Sequence, residues 1–81
     1  MVAFHYKNNK IRELYGQFFN RNNEYTLLVN DIGLNKGIKE NDLFRVFGTY
    51  YRVIKVGEPK NEKIELKLEK LAFEKFSRGI A

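Results

Sequence analysis

The 81-residue chain has no cysteine and no tryptophan, and it carries a single proline, a single histidine and a single serine. Without cysteine there are no disulfide staples and no thiolate metal sites, and the chain fits a reducing compartment. His5 and Ser77 lie near opposite ends, which leaves little from which to assemble a nucleophile and its base. A lone histidine in a strand is more often a packed or surface residue than a catalytic one. Asp31, Glu40 and Asp42 do not follow the spacing of a calcium loop, and Gly33 and Gly37 follow no phosphate-cradling pattern. The sequence therefore predicts no catalytic residues, no cofactor and no metal. No apolar run reaches the length of a membrane span, and the opening MVAFHYKNNK lacks the cationic head and apolar stretch of a secretion signal. A cytosolic protein with no membrane partner is the expectation.

What the chain does have is positive charge and aromatic rings. Fifteen Lys and Arg against ten Asp and Glu give a formal charge of +5, spread along the chain without a basic tail. Such a balance attracts polyanions, but in a small protein it speaks first to solubility and steering. Aromatic residues make up 15% of the chain, all Phe and Tyr, which suits strands and a compact core or an interface. The length allows one domain over 1–81, with a core over about 2–69 and a tail over about 70–81. A core this small without staples points to oligomerisation.

Val2, Phe4 and Tyr6 alternate with Ala3 and His5, and Asn8-Asn9 tolerates the left-handed backbone of a tight turn, so a hairpin is expected at the start. Ile11, Leu14, Tyr15, Phe18 and Phe19 recur at helical spacing, which Gly16 and the aromatics oppose. Residues 20–24 are polar and read as a loop before a strand with Tyr25, Leu27 and Val29. From Asn30 to Asp42 the chain makes a long excursion with Ile32, Leu34 and Ile38 as its apolar contacts.

Leu43 to Leu68 reads as a three-stranded antiparallel meander. A type II′ turn at Gly48-Thr49 would set Val46 against Tyr51, Arg45 against Arg52 and Phe44 against Val53. A second turn over residues 57–62 would set Val53 against Leu66 and Tyr51 against Leu68. One face is then Phe44, Val46, Tyr51, Val53, Leu66 and Leu68, with Lys55 at its edge. The other carries a cationic row of Arg45, Arg52 and Lys67 flanked by Phe47 and Tyr50, with Leu43, Ile54 and Val56 also outward. Like charges opposed across a ladder need water or an acidic partner. The row therefore has three readings: a wet outer face offset by Glu65 and Glu69, a platform for nucleic acid, or a dock for the carboxylates of a neighbouring subunit.

Read end to end, the segments KIRELYGQFF, EYTLLVNDIGLNKGIKENDLFRV and GTYYRVIKVGEPKNEKIELKL resemble the phage head-tail joining proteins of the lambda tail-attachment type. The likeness spans roughly residues 2–69 and is one of strands and turns, without an invariant chemical motif. It implies an all-β fold, a small antiparallel barrel or sandwich with a long loop between strands and a flexible C-terminal tail. It also makes Lys10 to Phe19 a strand. By the same resemblance the protein assembles as a homo-oligomeric ring between the portal or adaptor and the tail proteins. It would be found in the host cytoplasm during assembly and in the neck of the particle. Loops and termini make the contacts in that family, which here implies Asn20 to Glu24, Asn30 to Asp42 with Leu34 and Ile38, and the tail with Phe73 and Phe76. The chain departs from the pattern in lacking an N-terminal helical extension and most of the loop expected between Phe19 and Tyr25. Nucleic-acid binding through Arg45, Arg52, Lys67, Phe47 and Tyr50 is the alternative expectation.

Overall fold

Period-two alternation broken by residues that tolerate positive φ is a recipe for hairpins, and hairpins account for nearly all of the connections here. The computed structural model describes residues 1–30 and 37–71, and among them there is no helix. Six strands form: β1 (Val2–Lys7), β2 (Lys10–Arg21), β3 (Glu24–Asn30), β4 (Leu43–Val46), β5 (Thr49–Val56) and β6 (Lys63–Lys70). All neighbours are antiparallel, and the order β1-β2-β3-β6-β5-β4 closes into a barrel. The expected all-β fold is thus a closed barrel rather than a sandwich.

Asn8-Asn9, Asn22-Asn23, Phe47-Gly48 and Asn61-Glu62 each put two successive residues at positive φ. That is the signature of a type I′ turn, whose twist matches that of the flanking strands. Asparagine supplies the geometry at three of these turns, because its short polar side chain tolerates the left-handed region. The polar stretch read as a loop over 20–24 shrinks to Asn22-Asn23, with strand on both sides.

The β4–β5 reversal differs from the expected one. It turns on Phe47-Gly48, so Leu43 faces Arg52, Phe44 faces Tyr51, Arg45 faces Tyr50 and Val46 faces Thr49. Gly48 is the second residue of the turn and Phe47 takes the left-handed position before it at φ 51°. For a side chain of this kind that conformation costs about 1–2 kcal/mol. The slip moves one residue on each strand, so each side chain keeps its face while changing its neighbour. At the β5–β6 pair, Val53 faces Leu68 and Arg52 faces Glu69, not Leu66 and Lys67. A bulge then intervenes between Val53 and Lys55, so that Lys55 faces Lys67 and Val56 faces Leu66. The extra residue reverses the alternation: Lys55, expected at the inner edge, is exposed, and Val56, expected outside, packs against the core.

β2 is the strand implied by the resemblance, and it divides its pairing. Residues Lys10 to Tyr15 pair with β1, whereas Gly16 to Arg21 pair with β3. At the changeover Gly16 accepts from the Met1 amino group at 3.0 Å and donates to the Met1 carbonyl at 3.1 Å. A Cβ on Gly16 would lie 2.0 Å from the carbonyl oxygen of Leu28, so only glycine lets β2 and β3 approach this closely.

The interior is filled by Leu14, Leu27, Val29, Phe44, Val46, Val53, Leu66 and Leu68, with Ala3, Tyr51 and Ile64 completing it. Leu14 and Phe18 point inward from β2 while Ile11, Tyr15 and Phe19 stay exposed, so the helical spacing seen in the sequence is split between the two faces of a strand. No helix among the described residues is long and apolar enough to cross a membrane.

Substituting Gly16→Ala is expected to cost about 3 kcal/mol or more, because the added carbon meets backbone and not a movable side chain. Urea denaturation monitored by circular dichroism checks this; a loss below 1 kcal/mol would show that the close approach is not required.

Candidate functional site

Three places on the barrel gather chemistry. The expected cationic row is the first, and it does not form. Arg45, Arg52 and Lys67 all point outward, but the observed register separates them. Arg45 lies over the ring of Tyr50, 5.8 Å from its centroid, within cation–π range. Arg52 pairs with Glu69, its Nε donating at 3.0 Å, and its Nη1 donates to Asn41 Oδ1 at 2.5 Å. Lys67 donates to Thr26 Oγ1 at 3.0 Å and sits 3.8 Å from Glu65. Each charge has its own partner, so the outer face is a set of short pairs. Arg52, Lys67 and Lys70 share an open groove of about 660 Å³ with Glu24 and Glu69, so charges of both signs line it.

Phe47 and Tyr50, expected to flank the row together, part company. Phe47 projects from the turn at 76% exposure and meets the edge of Phe18 with 6.2 Å between centroids. Tyr50 leans on Tyr6 at 5.9 Å. At the Phe47 end of the barrel Phe18, Tyr25 and Tyr51 form a cluster with centroids 5.2–6.0 Å apart. Ile38, expected as a partner contact, is instead buried in the core. Leu34, Phe73 and Phe76 lie outside the described residues.

The third place is a polar cluster around the buried His5, with Asp42 and Lys7 partly exposed, and the sequence pattern did not reveal it. The larger side chains of β1, Val2, Phe4 and Tyr6, face outward, while Ala3 and His5 face in and are fully buried. The His5 ring stacks on Phe44 at 4.7 Å. Its Nδ1 lies 2.8 Å from Arg12 Nη2 and its Nε2 lies 2.9 Å from Asp42 Oδ2. A guanidinium can only donate, so Nδ1 accepts and Nε2 carries the hydrogen given to Asp42. Asp42 also accepts from the Lys39 amide at 2.9 Å and from Lys7 Nζ at 3.3 Å, and Lys7 further donates to the Gly37 carbonyl. The network thereby fastens residues 37–42 to β1 and β2. The only signal for it in the sequence was a lone histidine alternating with alanine.

Burial lowers the His5 pKa below its ordinary value; the bond to Asp42 opposes this and the nearby Arg12 charge adds to it. Protonation would also set an N–H against the Arg12 donor. Burial alone would raise the Asp42 carboxyl, but the Lys39 amide, the His5 ring and the Lys7 ammonium outweigh it and hold it below the usual range. Both nitrogens of His5 are engaged, so the ring works as a structural bridge. Ser77 lies outside the described residues, and among those described no group of three or more His, Cys, Asp or Glu side chains is placed to hold a metal ion. No family model, no curated protein and no solved structure matches this chain.

The unfolded chain binds a proton at His5 near pH 6.5 while the folded chain resists it, so stability is full above that pH and falls as the pH drops through it. Asp42 adds a further loss below about pH 3.8. Thermal melts between pH 8 and 5 are expected to show a falling midpoint in the native protein, and His5→Gln is expected to flatten that slope. An unchanged slope in the variant would assign the acid sensitivity elsewhere.

Proposed function

We propose that this chain is a non-enzymatic assembly subunit that joins head to tail in a phage or prophage particle, packing beside further copies of itself between the portal or adaptor and the tail proteins. The observation that carries this reading is the amount of apolar surface left on the outside of a barrel whose interior is already full. Ile11, Tyr15 and Phe19 on β2, Ile54 on β5 and Phe47 in the β4–β5 turn are exposed. Single exposed apolar residues are ordinary, but a spread of this kind on so small a domain favours a protein that works in contact with others. The tight turns and full antiparallel closure supply a stiff body for such contacts, and the resemblance over residues 2–69 supplies the kind of assembly.

A nucleic-acid platform on Arg45, Arg52, Lys67, Phe47 and Tyr50 is the weaker reading. Two of its three cations are already held by carboxylates, and its two rings stand apart. Its remaining support is the formal charge of +5.

Light scattering and negative-stain microscopy of the protein mixed with a phage portal or adaptor test the joining role. Bound density at the connector vertex is the expected result; a protein that never associates with connector particles would refute it. In a salt titration with short DNA and RNA, only weak binding is expected, and Arg45→Glu with Arg52→Glu is expected to leave it within about threefold. Tight, salt-steep binding lost in that double variant would favour the platform instead.

A further inference from the structure

β1 is turned inside out relative to its hydrophobicity. Its small and polar side chains, Ala3 and His5, fill the barrel, and its large ones, Val2, Phe4 and Tyr6, face outward and are half-buried on the outer surface. The neighbouring strands extend the same wall. Across β2, β1, β4 and β5 one row reads Glu13, Phe4, Arg45, Tyr50, and the next reads Ile11, Tyr6, Leu43, Arg52. Val2 stands beside Tyr15 in the row on the other side. Ile11 and Tyr15 are 60% and 58% exposed. Among the described residues no ion pair involves Glu13 or Arg45, and these two opposite charges flank Phe4 on either side.

We propose that this wall is a self-association surface and that its occupant is the same wall of a second copy. The charges choose the orientation. If a two-fold axis lies in the interface along β1, each position on β2 meets the partner's β4, and β1 meets β1. Glu13 then faces Arg45 of the partner subunit, Arg45 faces the partner's Glu13, Ile11 packs on the partner's Leu43, and Phe4 and Tyr6 meet their own copies. An axis across the strands would instead oppose Glu13 to Glu13 and Arg45 to Arg45. An isologous contact needs a self-complementary patch, and this one is self-complementary in a single orientation. The inference shares the exposed Ile11 and Tyr15 with the assembly reading, but it needs no connector or tail protein and is tested on the isolated chain.

The wall is small. Four strands set roughly 4.8 Å apart span only about 15 Å between outer strand axes, so the contact falls short of a standard interface and the dimer is expected to dissociate in the micromolar range. Sedimentation velocity on the full chain from about 5 to 500 µM tests this range. Expected is a concentration-dependent shift from monomer to dimer. Glu13→Arg or Arg45→Glu alone should weaken it at least tenfold, and the double exchange should recover most of that loss. Ile11→Asp, on an exposed position that leaves the barrel interior untouched, should also weaken it tenfold. A monomer at every concentration overturns the proposal, whether the wall is bare or is occupied by residues 72–81. So does a dimer indifferent to the single exchanges, or one that the double exchange fails to restore. Because the isolated protein is measured, these outcomes are distinct from failure to bind a connector.

Discussion

The approach of Gly16 to the carbonyl of Leu28 is the contact on which the barrel depends. A strand of twelve residues that paired with one neighbour along its whole length would make a long two-stranded ribbon. By pairing with β1 before Gly16 and with β3 after it, β2 turns the sheet through a corner and lets both ends of the chain order meet. Closure removes the exposed edges that small sheets otherwise present to one another. The same corner divides β2 in chemistry. Arg12 lies on the first half of β2 with His5 and Asp42, whereas Phe18 lies on the second half with Tyr25 and Tyr51.

Much of this was legible in residue types. Asn8-Asn9 announced its turn, and the alternation of Ile64, Leu66 and Leu68 placed β6 correctly, because both signals are local. The faces of β4 and β5 were legible for a less obvious reason. Taking Gly48-Thr49 in place of Phe47-Gly48 shifts each strand by one, and two such shifts restore the parity of every side chain. Cross-strand neighbours enjoy no such protection. The opposition of Arg45 to Arg52 was a product of the wrong turn, and the cationic row went with it. Glycine suits the first position of a type II′ turn, which made Gly48-Thr49 the local reading, and nothing local seats a phenylalanine in the left-handed region.

Two features had no local signal. The bulge at Ile54 depends on how β5 meets β6, and it exchanged the faces of Lys55 and Val56. The inversion of β1 depends on the space inside the closed barrel. Ala3 sits between Leu14 and Val46, where a larger side chain would overfill a layer already occupied from both sides, and His5 sits between Arg12 and Phe44. Hydrophobicity alone would have put Phe4 inside. Volume and hydrogen bonding put it outside, and the cost of that choice is an apolar outer wall.

The buried network shows what the polar choice at His5 gains. A hydrophobic side chain at that position would leave Arg12 and Asp42 without their shared partner, and Asp42 is the group that holds the Lys39 amide and Lys7. A buried polar network stabilises little net, but it permits few arrangements, because each unmet donor or acceptor costs about 1–3 kcal/mol. Ile38 adds an apolar anchor to the same segment. Residues 37–42, expected from the sequence to be part of a contact-making loop, are therefore clamped at both an apolar and a charged point. They are held to the scaffold, and the large apolar side chains exposed among the described residues, Ile11, Tyr15, Phe19, Phe47 and Ile54, all lie outside this segment.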